Sequence, residues 1–349
     1  MRFLIVKKGA LGDVIRTSYF ARAIKESPKS DTQITWLTAP ASLPLLQFNP
    51  WIDRLVTTFE ECNIESYDRI YSLDDEIETL QSVASLLSLS ISGAYLDKDG
   101  PQYTDDTAEW FDMGLLSRFG KSSADELKKA NTKGHAEIFS RIFDVPHVEP
   151  GFYGSSSEEK WARQWLKENY FHVAINPFAG GRWPSKELRE SELLQLVSSV
   201  LGCQSPNGKE VRVVLLGAGP DRERNLALAD RFSSERIVVA DTDSSVLRLA
   251  AVIRCSNVLI SSDSLALHLG VSQRIPFVSF FAPTSAAEID DFGLGIKIIS
   301  TSADYCSYRR DADNSSLTAN RVMQAFDSLC ARWSRSGMKQ FEPVGEPQP

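Results

Sequence analysis

A strand–helix alternation that runs through both halves of the chain limits its fold more than any other feature. In the first half, residues 2–7 form a short hydrophobic run suited to a buried parallel strand. Residues 9–12 make a loop, and residues 14–26 then carry apolar side chains at helical spacing (Ile15, Tyr19, Ala23). Residues 32–37, 69–73 and 91–96 are further strand candidates, with a helix over 76–89 and a polar helical region over 124–143. In the second half, a helix over 158–169 precedes strand candidates at 172–176, 211–216, 237–240, 258–261 and 277–281, and residues 317–334 read as a terminal helix. Such alternation builds right-handed β-α-β units and a parallel sheet in each half. The expected fold class is therefore α/β, with two Rossmann-like, doubly wound domains.

The 349 residues are enough for two domains at about 100–200 residues each. Pro146, Pro150, Gly151, Gly154 and the serines at 155–157 mark the break. The expected division is a first domain over 1–150, a linker and connecting helix over 151–171, and a second domain over 172–336. A disordered tail is expected over 337–349, where three prolines fall in the last seven residues. Hydrophobic residues at 42% and charged residues at 24% exclude a largely disordered chain. No apolar run approaches the roughly 20 residues that span a bilayer, and the four-residue apolar run at the N-terminus does not read as a signal peptide. The five cysteines are scattered without a C-x-x-C pair, which argues against a disulfide framework or a structural zinc site. These features point to a cytoplasmic protein. The net charge of −8 argues against broad nucleic-acid binding.

In doubly wound sheets, ligands sit outside the carboxyl ends of the strands, so the loops after the strands hold the candidates. The first is Lys8-Gly9-Ala10-Leu11-Gly12-Asp13. Its glycines allow a tight turn and leave space for a ligand, while Asp13 is either a helix N-cap or a reactive carboxylate. The second is Ala179-Gly180-Gly181-Arg182-Trp183-Pro184, whose backbone N–H groups and guanidinium suit a phosphate but equally fit a turn with a surface Arg. The third is Leu216-Gly217-Ala218-Gly219-Pro220, a weaker signal that a turn into a helix would also produce. The fourth is Ser262-Asp263-Ser264-Leu265-Ala266-Leu267-His268. Ser262 or Asp263 can cap the helix that follows, its N-terminus suits a diphosphate, and His268 either faces the same ligand or is structural. Ala282-Pro283-Thr284 closes another strand at the same sheet edge. The loop 304–311 holds Cys306, which reads as a buried spare thiol, and Asp241-Thr242-Asp243 reads as a helix cap.

Together these segments resemble glycosyltransferase family 9, the bacterial ADP-heptose:lipopolysaccharide heptosyltransferase family. The family's G-x-x-G-D loop corresponds to Gly9–Asp13 here, its glycine loop before a basic residue and Trp-Pro to 180–184, and its Ser-Asp-[Ser/Thr]-Gly-x-x-His segment to 262–268. Order and spacing agree over about residues 1–25 and 172–285. Leu265 and Ala282 stand where the family has glycine.

The resemblance implies a GT-B architecture with two Rossmann-like domains facing a central cleft. The first domain would take the acceptor and the second the nucleotide diphosphate sugar, with the terminal helix returning to the first domain. It implies an inverting transfer, without cofactor or catalytic metal, of a sugar (heptose, from ADP-heptose) to a hydroxyl of a surface glycan or lipid-linked acceptor. That acceptor would bring the enzyme to the cytoplasmic face of the inner membrane. Asp13 would be the base, beside an acceptor-side loop containing Gly9 and Gly12. Gly180, Gly181, Arg182, Gly217, Asp263, Ser264, Leu265, His268 and Thr284 would bind the donor. A nucleotide-sugar 2-epimerase of the same fold and a non-catalytic nucleotide-sugar-binding protein are the alternatives.

Overall fold

In a computed structural model of the protein, the alternation becomes two six-stranded sheets. The structure describes residues 1–27, 31–63, 66–146, 148–181 and 183–336, without the side chains of 333–336. The expected tail at 337–349 and Arg182 lie outside the described residues. The chain divides into two units between Tyr153 and Gly154.

The first unit runs β1 (Arg2–Val6), α1 (Leu11–Glu26), β2 (Gln33–Leu37), α2 (Leu43–Leu46), β3 (Arg54–Val56), α3 (Phe59–Cys62), β4 (Arg69–Ser72), α4 (Ile77–Ala84), β5 (Ile91–Asp97), β6 (Gly100–Tyr103), α5 (Ala108–Phe111), α6 (Gly120–Ala130) and α7 (His135–Phe143). Its sheet has the order β3-β2-β1-β4-β5-β6, parallel except for the final β5–β6 hairpin. Alternate residues of each strand serve the two faces. Leu4, Val6, Leu37 and Ile70 pack with Cys62 of α3 and Val83 of α4. Tyr71, from β4, lies with its ring 4.6 Å from Phe143 of α7 at a tilt of 47°, and Phe143 stacks 4.9 Å from Phe20 of α1. Both faces are thus buried, which explains why these strands read as continuous apolar runs.

The second unit runs α8 (Ser156–Leu166), β7 (Tyr170–Asn176), α9 (Glu190–Gly202), β8 (Glu210–Leu215), α10 (Pro220–Ala229), β9 (Ile237–Val239), α11 (Val246–Arg254), β10 (Val258–Ser262), α12 (Leu265–Ser272), β11 (Phe277–Phe281), β12 (Gly295–Ile299) and α13 (Ala319–Ser336). Its sheet is wholly parallel in the order β12-β11-β10-β7-β8-β9. Leu196, Val197 and Val200 of α9 and Val322, Phe326 and Leu329 of α13 cover one face, over Val173, Ile175, Val213 and Ile260. The helix after the linker, α8, packs on α11 in this unit, where Arg248 pairs with Glu158 at 3.0 Å and stacks over Trp161. Within the described residues, α13 packs on α9, β11 and β12 of its own unit.

Counted from the first strand of each half, both sheets have the order 3-2-1-4-5-6. The first and fourth strands lie side by side and send their helices to opposite faces. That places a topological switch point at the carboxyl ends of β1 and β4, and another at those of β7 and β10. The residue motifs at 8–13 and 262–268, and residues 179–181 and 183–184 of the glycine motif, fall there.

Candidate functional site

At the second unit's switch point the exit loop of β10 carries Asp263. Lys186, in a 3-10 turn over Pro184–Lys186 in the exit loop of β7, reaches it from the neighbouring strand. The ammonium lies 2.8 Å from Oδ2 of Asp263 and donates again to its carbonyl oxygen at 3.0 Å. The third ammonium hydrogen has no partner among the described residues. His268 Nε2 stands 3.8 Å from Oδ1. Burial pushes the Asp263 carboxyl up, but Lys186 and His268, with a further contribution from the Thr284 hydroxyl, hold it below its ordinary value. Asp263 is therefore an anion at neutral pH, with its charge offset by a lysine.

Neither Asp263 nor Ser262 caps the following helix. The N-cap of α12 is Ser264, and its side chain makes no capping bond. Its hydroxyl instead accepts from Asn176 Nδ2 at 3.1 Å and lies 3.0 Å from Ser261 Oγ, which ties β7 to β10. The N–H groups of Leu265 and Ala266 consequently have no partner among the described residues. An uncapped helix start next to a lysine is a ready anion site. Leu265 is the first residue of α12 and has ordinary helical geometry, so replacing the family's glycine there does not strain the backbone. Ala282 likewise has no left-handed conformation, and its carbonyl accepts the Cys306 N–H at 3.0 Å.

The glycine loop behaves differently from the phosphate cradle its sequence suggests. Gly180 and Gly181 both adopt left-handed backbone, φ 69° and 70°, which residues with a Cβ rarely take. The Gly180 N–H, however, already donates to Asp221 Oδ2 at 2.9 Å, and the Ala179 N–H to Glu187 Oε1 at 3.1 Å. Arg224 closes this set with a 2.7 Å bond to Glu187 and a guanidinium 3.5 Å from the centre of the Phe178 ring. Two carboxylates thus hold two of the loop's backbone donors. Gly217 is also a packing residue. A Cβ there would come within 2.8 Å of Asn225 Nδ2 and 3.1 Å of the Asp221 Cβ, so the glycine lets α10 start tight against the end of β8. Asp243 does not cap a helix: it accepts the Gly219 N–H, while Ser245 caps α11.

In the first unit, Asp13 is not an N-cap. Helix α1 starts one residue after Ala10, which makes Asp13 the third helical residue, with Gly12 inside the helix. Gly9 has no left-handed conformation either, and the space where its Cβ would project is open. Asp13 Oδ1 pairs with Arg16 at 2.8 Å, and the Arg16 guanidinium stacks 5.2 Å from the Trp110 ring. An acid in a helix's first turn is favoured by the dipole.

Sequence reasoning missed the group that fixes this loop. Asp74, at the exit of β4, takes Lys7 Nζ at 2.7 Å on one oxygen and the Lys8 N–H at 2.6 Å on the other. Its carboxylate is 3% exposed, and burial pushes it above its ordinary value despite the Lys7 ammonium. Thr38 donates to the Lys7 carbonyl at 3.0 Å and Ser42 to the Lys8 carbonyl at 2.9 Å. Asp74 lies two residues past the end of β4, so the strand-exit rule applied to that strand points to it. Lys186 gave no such signal, because Pro-Ser-Lys-Glu reads as a surface turn. Cys306 is buried as expected, and no group of three His, Cys, Asp or Glu side chains among the described residues is arranged to hold a metal ion.

No protein-family profile matches the chain. A Haemophilus influenzae protein, described only provisionally as a glycosyltransferase, is 21% identical over 302 residues, covering 82% of this chain and 84% of that protein. Among solved structures, the family 9 glycosyltransferase from Veillonella parvula superposes with a TM-score of 0.72 at 15% identity, covering 95% of this chain and 97% of that one. The E. coli ADP-heptose lipopolysaccharide heptosyltransferase II gives 0.67 at 15% identity, over 95% and 99%. The E. coli heptosyltransferase WaaC with ADP gives 0.62 at 15%, over 96% and 100%. The chain therefore has the fold of the family 9 glycosyltransferases, two Rossmann-like domains of the GT-B class.

Proposed function

We propose that the protein is an inverting glycosyltransferase that needs no catalytic metal. It moves a sugar from a nucleotide diphosphate donor, ADP-heptose foremost, to a hydroxyl of a surface-glycan or lipid-linked acceptor. The observation that carries this reading is the second unit's switch point. There a lysine with one hydrogen unused and an uncapped helix start converge beside a buried carboxylate. The leaving nucleoside diphosphate gains negative charge as the glycosidic bond breaks, and fixed cations and helix N–H groups stabilise it without reorganising. Asp263, kept anionic beside Lys186, suits a sugar or ribose hydroxyl better than a phosphate. Asp13 in the first unit is the proposed base, removing the acceptor hydroxyl's proton as it attacks the anomeric carbon. A lipid-linked acceptor brings the enzyme to the cytoplasmic face of the membrane, and no helix among the described residues is long and apolar enough to cross one.

The test is nucleotide release from ADP-heptose, GDP- and UDP-sugars with and without candidate acceptors. Acceptor-dependent release supports the transferase. Release of free sugar without acceptor points to the epimerase, and tight binding without turnover to a binding protein. Asp13→Asn then tests the base. It should cut turnover by about 10²–10⁴ with donor affinity nearly intact. A variant retaining more than half of the wild-type rate, with chemistry rate-limiting, removes Asp13 from that role.

A further inference from the structure

We propose that the loop 304–311 is a strap that sets the width of the donor site, with Tyr308 as its positioning residue. The proposal rests on the donor reading of the second unit's switch point. In this sheet β10 lies between β7 and β11. Neighbouring strands are about 4.8 Å apart, so the exits of β7 and β11 stand roughly 10 Å apart, on either side of Asp263. Strand pairing through β10 fixes those exits but not the course of the two loops beyond them.

The loop 304–311 bonds to both. On the β11 side, the Cys306 N–H donates to the Ala282 carbonyl at 3.0 Å and the Tyr308 N–H to the Pro283 carbonyl at 2.8 Å. The Tyr308 hydroxyl donates to Glu288 Oε1 at 3.1 Å and accepts the Ser285 N–H at 3.4 Å. The Tyr305 hydroxyl accepts the Ala286 N–H at 2.8 Å. On the β7 side, Ser185 Oγ donates to the Arg309 carbonyl at 3.0 Å, and Arg310 donates to the Gly181 carbonyl at 3.2 Å. Ser185 precedes Lys186, and Thr284 follows Pro283, so these two anchors are each one residue from a proposed donor-site side chain. Cys306 and Tyr308 hold left-handed backbone, φ 60° and 53°, which non-glycine residues keep only where their surroundings impose it. Burial pushes the Tyr308 phenol up, so the hydroxyl stays a neutral donor across the working pH range.

Tyr308→Phe keeps the ring's packing and removes its hydroxyl bonds. ADP affinity, read by titration calorimetry, should fall about tenfold, the size of one lost hydrogen bond. Donor KM should rise in parallel and acceptor KM stay constant. Amide exchange should also accelerate at 178–186, a segment to which no described hydrogen bond of the Tyr308 hydroxyl runs. A purely local role would change exchange at 282–288 alone. Arg310→Met removes the Gly181 anchor at an exposed side chain. It should raise exchange at 178–186 with little change in melting temperature, and it decides the matter if Tyr308→Phe does not fold. Unchanged exchange at 178–186 in every variant that folds overturns the strap. Wild-type protein that binds none of ADP, GDP or UDP overturns the donor reading instead, and exchange at 178–186 still tests the strap.

Discussion

Lys186 donates twice to Asp263, and both side chains are only 14% exposed. Removing one partner leaves the other charge buried without compensation, a change that costs about 3–5 kcal/mol in fully buried pairs and less here. The two substitutions should nevertheless move nucleotide binding in opposite directions. Lys186→Met removes the cation proposed to meet the diphosphate, and ADP affinity should fall by about tenfold or more. Asp263→Asn removes a neighbouring negative charge and frees the ammonium, so ADP affinity should hold or rise while turnover drops. Calorimetry on the two variants checks this, and parallel losses would show that the pair acts as a structural unit. The placement of Asp263, Ser264 and His268 at one strand exit could be read from the sequence, because each sits at a fixed offset from the end of β10. The role of Gly217 was not, since a ligand-binding turn and a tight strand–helix contact require the same residue.

At the scale of elements, the exit loop of β1 is held by the ends of β2 and β4 and the start of α2. Asp74 is its one buried charged anchor among the described residues. Because burial outweighs Lys7 in setting the Asp74 carboxyl, the pair should contribute little to stability. The double variant Lys7→Met/Asp74→Leu should therefore melt near the wild-type temperature. Turnover should still fall, because the Lys8 N–H loses its acceptor and the loop leading to Asp13 is no longer fixed. Lys7→Met alone keeps that acceptor and should keep more activity than the double variant. Equal activity in the two would remove Asp74 from positioning. The long elements were readable from period and turn residues. β3, β6 and β12, all at sheet edges, were not: Arg54, Pro101 and Lys297 break up their apolar signal, whereas β9, an edge strand of only three residues, is an unbroken Ile-Val-Val. The single helical region expected over 124–143 is two helices, α6 and α7. Between them the Asn131 side chain bonds to the backbone of Lys133, which favours a turn over continued helix.

Across the whole molecule, the alternation was enough to place two doubly wound sheets, while strand order at the edges came only from tertiary packing. One buried histidine gives the second unit an acid-sensitive joint. His172, in β7, bonds through Nε2 to the Leu166 carbonyl at 2.7 Å, at the end of α8. Burial lowers its pKa from 6.5 to about 4, with Arg212 and Lys209 adding to the effect. Above pH 6.5 neither the folded nor the unfolded chain protonates this ring, and it makes no pH-dependent contribution. As the pH falls from 6.5 to about 4, the unfolded chain gains a proton that the folded chain refuses, so stability declines across that window and levels off below it. His172→Gln can keep a donor to Leu166 without titrating there. Its melting temperature should fall less than that of the wild type between pH 7 and 4.5, and equal slopes would place the acid sensitivity elsewhere.

Nucleotide binding should also divide the molecule. A ligand that binds only the folded second unit at about 100 times its Kd stabilises that unit by about 2.7 kcal/mol and has no direct effect on the first. With ADP present, amide exchange should slow at the β7, β10 and β11 exits, around Gly180, Lys186, Leu265 and Thr284, and then across the strands behind them. The loop of Lys8–Asp13 should be unchanged by ADP alone, because its proposed partner is the acceptor hydroxyl. The locations of the polar groups argue for this division. Both switch points hold an uncapped helix start, α1 after Ala10 and α12 after Ser264, but the second adds a lysine hydrogen left without a partner among the described residues. In the first unit, Lys7 Nζ and the Lys8 N–H are both already bound to Asp74. Protection confined to residues 1–153 would reverse the assignment of donor and acceptor to the two units.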